Sequence, residues 1–590
     1  DSSHNVMNQK ILTYNNATSS KVLLDVQEVR NTSFDARGNV LEQIIATFSG
    51  IDAQGNGTGL LDIKVISNES LDAQGNAGKV TILKYSSGTF AANGGAITVG
   101  TFVDATVITT SSFDLKGNAL AQTVKKYSDS LATVLIETQS ITNSGYDFRG
   151  RVASSVVITT NALGTFVDRQ NIDYLSYDVY GNVLNQTVKR YDSLDALIDY
   201  KLITNTYDKV IAQRRGNATS TSIRRYSSAT ILDNTTLIER QEISNTSFDA
   251  IGNVVDQIVE TYRIGADSLE KLASRTVIRN SEISNAGDAA NQEITTYTTN
   301  DSGVVIAGEI SYQLITNRSF DSSHNVMNQK ILTYNNATSS KVLLDVQEVR
   351  NLSFDARGNV LEQIIATFSG IDGSGNGTGL LDIKVITNEL LDSQGNAGMV
   401  TILKYSSGTF AANGGAITPG VFVDSTVITT SSFDLKGNAL VQTVKKYSDS
   451  LTTILIETQS IINSGYDFHG RVAHSSVTTT NSLNVFVDRQ EIDYLSYDVY
   501  GNVLSQTVKR YDSLDVFIDY KEITNTYADP IAQRRGNATH TSIKRYSDLV
   551  THTLATLIDR QEISSVHDGI GNVVDQIVET YRIGADSAEK

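Results

Sequence analysis

Cysteine and tryptophan are absent from this chain, and only 2 of its 590 residues are proline. Without cysteine, neither disulfides nor thiolate metal centres can hold the fold, so stability has to come from packing and hydrogen bonds. The scarcity of proline suits long strands, because proline removes a donor from the ladder. No apolar run approaches the roughly 18 residues that a membrane-spanning helix needs, so membrane insertion is not expected. Positive charge is also short: 48 Lys and Arg stand against 65 Asp and Glu, a formal charge of −17. A nucleic-acid-binding face needs clustered cations to displace counterions, so nucleic acid is not an expected partner. Basic pairs such as Lys189-Arg190 and Arg224-Arg225 read as solvated strand positions. The histidines at 4, 324, 469, 474, 540, 552 and 567 show no metal-ligand spacing, and no GxSxG, HExxH or P-loop string occurs. No catalytic residue, metal ligand or enzymatic activity is expected.

What the chain does contain is repetition. Asp1 to Asn31 is identical to Asp321 to Asn351, and the match continues with scattered substitutions to the C-terminus, with one residue lost near Val566. Residues 1–320 therefore read as a first block and 321–590 as a second, truncated one, with no separate globular domain. Asp1 falls inside a repeat, which suggests a window of a longer protein. A shorter period of about 30–42 residues runs inside each block, nine units in the first and about seventeen in all. Each unit is marked by an aromatic-Asp step, as at Phe34-Asp35, Phe113-Asp114, Tyr146-Asp147, Tyr177-Asp178, Phe248-Asp249 and Tyr497-Asp498.

The units share one grammar. After Gly-Asn comes a stretch such as Val183 to Tyr191, rich in β-branched residues, which we call strand A. A connection of variable length follows, then a second stretch such as Leu237 to Asn245, strand B, which leads back to the next aromatic-Asp. Turn chemistry every 12–20 residues and abundant Thr, Val and Ile favour strands over helix. Alternation predicts Leu184, Gln186 and Val188 on one face of strand A, and Leu237, Gln241, Ile243 and Asn245 together on one face of strand B.

Asp-x-x-Gly-Asn supplies what a tight reversal needs: a carboxylate to accept backbone N–H groups, Gly for φ > 0 and Asn for left-handed conformations. The expected turn residues are Tyr146, Asp147 and Gly150; Tyr177, Asp178, Gly181 and Asn182; Phe248, Asp249, Gly252 and Asn253; and Tyr497, Asp498, Gly501 and Asn502. Where Gly is lost, at His324, or the turn is stretched, between Asp208 and Gly216, local distortion is expected. A Gln recurs mid-strand at Gln9, Gln43, Gln122, Gln186, Gln257, Gln292, Gln329, Gln363, Gln442, Gln506 and Gln576, as a stripe able to bond to its neighbours; the functional alternative is a sugar-binding stripe. No cofactor is expected. The one ion to consider is calcium, because the loops from Asp52 to Gly57 and Asp372 to Gly377 resemble the start of a calcium loop but lack its further acidic ligands. Asn-x-Ser/Thr sequons make Asn16, Asn31, Asn56, Asn68, Asn185, Asn217, Asn234, Asn245, Asn300, Asn317, Asn336, Asn351, Asn376 and Asn537 candidate glycosylation positions.

With Tyr146-Asp147-Phe148-Arg149-Gly150-Arg151-Val152 matching the pattern YDxxGR, the chain resembles the YD-repeat (RHS-repeat) family along essentially its whole length, although most units carry Gly-Asn in place of Gly-Arg. It also looks like the very long surface or fibre repeat proteins of environmental bacteria. The resemblance implies β-hairpin arrays that spiral into shells or tubes, often extracellular and sometimes enclosing a toxin. The expectation is therefore an all-β array of two-stranded units in a continuous antiparallel meander, coiled into a superhelical, tube-like or solenoidal body. Its expected role is structural, as a segment of an extracellular or cell-surface fibre. The partners are then other copies end to end or the continuation of a longer chain. The alternatives are an adhesin or carbohydrate-binding module that meets glycans through its variable loops, and a shell around a cargo lying outside these residues.

Overall fold

The computed structural model describes residues 4–14, 23–91, 95–214, 216–249, 252–284, 287–321, 324–355, 357–392, 394–411, 414–567, 573–583 and 589–590. Asp1 and the candidate Asn16 lie outside the described residues. The fold is an all-β repeat array. From Asn8–Tyr14 to Val573–Tyr581, a single antiparallel sheet of 33 strands runs as a meander in which each strand bonds to the next one of the sheet along the chain. The sheet passes without a break through the junction of the two sequence blocks, where Val305–Phe320 pairs with Val326–Tyr334.

Strand A and strand B differ in regularity. A typical strand A, Val183–Tyr191, has 9 residues, whereas the strand B before it, Phe166–Tyr177, has 12. The excess is absorbed by bulges, one near each end of strand B: next to the variable connection Ile238 is skipped between the pairs Arg225–Glu239 and Tyr226–Leu237, and next to the fixed turn Thr246 is skipped between Asn245–Gln257 and Ser247–Asp256. Each bulge bends its strand and increases the local twist, so a sheet bulged at every second strand has to curl.

The first bulge overturns the parity expected for strand B. Leu237 does not share the face of Gln241 and Asn245; it sits opposite Tyr226 and packs with Tyr200 and Tyr226 in a small core. Equivalent clusters form around Val26, Ala46, Phe48 and Ile63 and around Val346, Ala366, Phe368 and Ile383. There the longest connections fold back as two-stranded hairpins, Gly88–Phe90 with Ile97–Val99 and Gly408–Phe410 with Ile417–Pro419, and lay Ile97 and Ile417 on the sheet.

The basic pairs are split rather than solvated together. Arg224 is exposed, while Arg225 and Arg190 turn to the opposite face and enter a row of alternating charges. In the second block this row runs from Asp488 to Arg510 at 3.3 Å, Arg510 to Asp519 at 3.2 Å, and Arg545 to Asp559 at 2.5 Å, one residue per strand. The residue before the closing Tyr of strand A supplies the cation, and the third residue of strand B supplies the acid. Asp199 and Asp519 are buried, so each needs its guanidinium partners.

The meander closes on itself by stacking, not by strand pairing. Arg471 Nη2 donates to Asp301 Oδ1 at 2.7 Å, and Thr299 Oγ1 lies 2.8 Å from His469 Nε2. Arg535 Nη2 donates to the Leu344 carbonyl at 2.6 Å, and Arg225 Nη1 to Gln394 Oε1 at 2.9 Å. In every case a fixed turn of the later coil meets a variable connection, or the strand end beside it, of the earlier coil, 169–191 residues back. Nine strands of the main sheet separate Asp301 from Arg471, so one coil has a circumference of about 45–50 Å at roughly 4.8 Å per strand. The sheet is thus an open spiral.

Candidate functional site

The repeated feature with the densest chemistry is the fixed turn. In the turn after Phe34, Gly38 N–H donates to the Asp35 carbonyl at 3.1 Å and Asp35 N–H to the Asn39 carbonyl at 2.9 Å. Asp35 Oδ1 accepts from the N–H groups of Arg37 and Asn39, both at 2.8 Å, and Oδ2 accepts from Asn39 Nδ2 at 2.9 Å. Gly38 has φ +84°, giving a tight turn followed by a left-handed residue. The same bonds recur around Asp178 and Asn182, and around Asp498 and Asn502. Asp249 and Asn253 repeat the closing bonds. In the Gly-Arg units Asp147 and Asp467 keep the bonds, with Arg151 Nε and Arg471 Nε donating in place of the Asn amide. Bonds from the Asn side chain, and the backbone donors beside it, hold Asp35, Asp52, Asp72 and Asp114 below the usual carboxylate range.

These turns are also chained to one another. A Cβ placed on Gly117 would lie 2.7 Å from Asn76 Oδ1 of the preceding turn, and one on Gly437 would lie 2.8 Å from Asn396 Oδ1. Gly is therefore required twice, for its positive φ and for the Asn seated against it. After a Gly-Arg unit the contact changes: nothing approaches Gly181, and Arg151 Nη1 instead donates to the Asp178 carbonyl at 3.1 Å. The aromatic step adds a clasp. Tyr146 Oη donates to the Ala119 carbonyl and Tyr177 Oη to the Val152 carbonyl, each at 2.6 Å and each one unit back; Tyr497 does the same to Val472 at 2.5 Å. Burial pushes the Tyr497 phenol up to about 12. Phe248 carries no hydroxyl, so its unit lacks this bond.

The two expected distortions part ways. His324 adopts φ +67° and keeps the turn, its N–H donating to the Asp321 carbonyl at 3.1 Å, while Nδ1 lies 2.9 Å from Asp288 Oδ1. The stretched turn becomes one helical turn, Val210–Arg214, whose Gln213 carbonyl accepts from Asn182 Nδ2 at 2.6 Å. Its second copy, Pro530–Arg534, is capped by the Asp529 carboxylate.

The Gln residues do not bond to one another, because a strand B separates each from the next. Gln257, Gln292 and Gln329 donate to Asn245, Asn280 and Asn317 at 2.9–3.0 Å; Gln122 and Gln442 reach Thr110 and Thr430 instead, and Gln576 reaches Ser565. Gln9, Gln43, Gln186, Gln363 and Gln506 hold the same place in strand A, opposite Val29, Asn31, Tyr174, Asn351 and Tyr494.

Sequence reasoning missed the role of that strand B Asn. Its Nδ2 donates to the carbonyl at the start of the preceding strand A, as Asn245 does to Ala218, Asn317 to Ala289 and Asn351 to Val326, at 2.8–2.9 Å. Its recurrence four residues before Asp was the available signal. Several sequons are therefore structural in the folded chain. The amide nitrogens of Asn31, Asn68, Asn245, Asn317 and Asn351 are engaged in this bond, those of Asn56 and Asn376 in turns, those of Asn185 and Asn217 to Ser176 and Gly252, and that of Asn234 to Ser268. Asn300 lies exposed on a variable connection, and Asn336 and Asn537 are half-buried.

At Asp52 and Asp372 the carboxylates accept N–H groups in the same turn geometry, which turns donors rather than free lone pairs toward the loop centre. Among the described residues no group of three His, Asp or Glu side chains is arranged to hold a metal ion. The seam between coils leaves a cavity of about 550 Å³ between Phe166, Val167 and Asp192 on one side and Asp355, Arg357 and Leu391 on the other.

No protein-family model matches the chain, and no curated protein sequence does. Among solved structures it is similar to the TcdB2-TccC3 crystal structure, at 10% identity and TM-score 0.18, over 97% of this chain and 41% of that one. It is likewise similar to TcdB2-TccC3-Cdc42, at 10% identity and TM-score 0.17, over 95% and 42%. To the Photorhabdus luminescens Tc holotoxin pore it is similar at 9% identity and TM-score 0.13, over 95% and 46%. The chain thus spans less than half of each matched chain. TM-scores this low establish no shared arrangement, and the reading of the turn edge rests on its own geometry.

Proposed function

We propose that this chain is a structural repeat protein of the YD-repeat kind, a coiled β-ribbon that serves as a segment of an extracellular fibre. The observation that carries this is the seam. Two different edges of one sheet, fixed turns on one side and variable connections on the other, are complementary to each other. An interface between unlike surfaces repeats without closing, and builds filaments rather than rings. The polar groups of the turns serve geometry: the carboxylates are saturated by N–H donors, and neither a catalytic role nor a cofactor is assigned to them. Sedimentation velocity and negative-stain imaging of the purified chain test the reading. Rods that lengthen with concentration support it, whereas a compact monomer at high concentration overturns it.

A second reading, an adhesive surface module, is favoured by one observation. Leu131, Leu163, Leu194, Leu451, Leu483 and Leu514 stand exposed at the tips of the variable connections. Such a row suits an apolar partner better than a glycan. Loss of surface binding on replacing these leucines with serine, with rod formation intact, would favour it.

A further inference from the structure

The sequence duplication provides both halves of the seam twice, once covered and once bare. Inside the chain, Phe166, Val167 and Asp192 of the earlier coil face Asp355, Arg357 and Leu391 of the later one. The twins of the first set, Phe486, Val487 and Asp512, sit on variable connections and strand ends of the last coil. The twins of the second set, Asp35, Arg37 and Leu71, sit on fixed turns of the first coil. All six residues are identical to their counterparts.

Exposure shows what covering does. Phe148 is 80% exposed, whereas its twin Phe468 is 4% exposed against the earlier coil. The Arg37 side chain is 50% exposed and that of Arg357 26%. On the opposite edge, Arg225, which bonds to Gln394, is 14% exposed, whereas its twin Arg545 is 35% exposed. Val487 is exposed and its covered twin Val167 is half-buried.

We infer that a second copy of this chain docks head to tail through these bare twins. Val487, Phe486 and Asp512 of one copy then meet Asp35, Arg37 and Leu71 of the next, and Arg545 donates to Gln74 of the next copy as Arg225 donates to Gln394 within the chain. The partner is a second copy because the bare surfaces reproduce, residue for residue, an interface already present inside the chain. The inference rests on the fibre reading and names the surfaces that join its subunits. Each copy carries a formal charge of −17, so assembly should strengthen as salt screens the repulsion between copies.

The absence of cysteine makes the test clean. Arg545→Cys and Gln74→Cys are prepared as separate full-length variants and treated with a bis-maleimide spacer, singly and mixed. Dimer is expected from the mixture at least tenfold above either variant alone, and a covalent ladder from the double variant. Leu71→Asp should lower the assembled fraction without moving the melting temperature, whereas Leu391→Asp, its covered twin, should lower the melting temperature. Filaments in the microscope without selective cross-linking would overturn this docking mode and leave the fibre reading standing. Absence of any species larger than one chain would overturn both.

Discussion

The two edges of the sheet are made by the same kind of chain reversal and behave as opposites. On the fixed edge each turn is bonded to its neighbours: Asn76 sits against the backbone of Gly117, Arg37 Nη1 donates to the Ala73 carbonyl at 3.0 Å, and Tyr177 clasps Val152. On the variable edge a tight turn such as Asp192 to Ala196 has the same carboxylate bonds, to the N–H groups of Leu194 and Ala196. Yet Gly164, in the next variable turn along that edge, has no atom within 4 Å of an added Cβ. A turn motif is thus constrained by what stacks on it more than by the turn itself. Regular spacing of the fixed edge sets the pitch, and the free edge tolerates connections of any length.

The largest effect expected from this contrast comes from Gly117→Val, which combines a left-handed β-branched residue with a clash against Asn76. A loss of about 2–4 kcal/mol is expected, against about 1–2 kcal/mol for Gly164→Val, where only the backbone conformation is strained. Urea unfolding of the two variants measures the difference, and equal losses would break the comparison.

Acid should act next, and on the fixed edge. Asp35, Asp72 and Asp114 have folded pKa values below the ordinary 3.8. The unfolded chain therefore binds protons first; their stabilisation is complete above pH 3.8 and is lost as pH falls through the lower, folded values. Circular dichroism across that window should show cooperative loss of strand signal, moved to higher pH by Asp114→Asn. At the alkaline end the sign reverses. The Tyr497 phenol, raised to about 12 by burial, contributes stability that is complete below the ordinary value of 10 and lost as pH rises through about 12.

Smaller effects sharpen the same contrast. Tyr177→Phe removes one hydroxyl-to-carbonyl bond between units and should cost about 1 kcal/mol; the Phe113 and Phe248 units already live without it. Inserting Gly-Ser between Ser193 and Leu194 on the variable edge should cost about 0.5 kcal/mol or less. The same insertion between Val179 and Tyr180 should disrupt the turn spine and be clearly visible in the melting curve.

Much of this was legible in the residues. Asp-x-x-Gly-Asn announces the turn, β-branched stretches announce strands, and their alternation announces the meander. The bulges were not read, because alternation assumes one residue per pairing step, although the apolar doublet before the acid in Leu237-Ile238-Glu239 marks the place. The charge row was hidden for the same reason: Arg224 and Arg225 look alike in sequence, and strand parity sends them to opposite faces. His324 was misjudged because a left-handed residue costs little where the surrounding bonds fix the turn. The coil had no local signature at all, since its contacts join residues such as Asp301 and Arg471 that lie 170 apart.

The seam is therefore the point on which everything turns, and one distance tests it. Ser302→Cys and Ala473→Cys place spin labels at exposed positions on either side of the Asp301–Arg471 contact, in a chain with no other cysteine. A coiled sheet predicts a distribution centred below about 25 Å, labels included. A flat ribbon, with nine strands between them, places the centre near 43 Å at roughly 4.8 Å per strand, and that result would contradict the account.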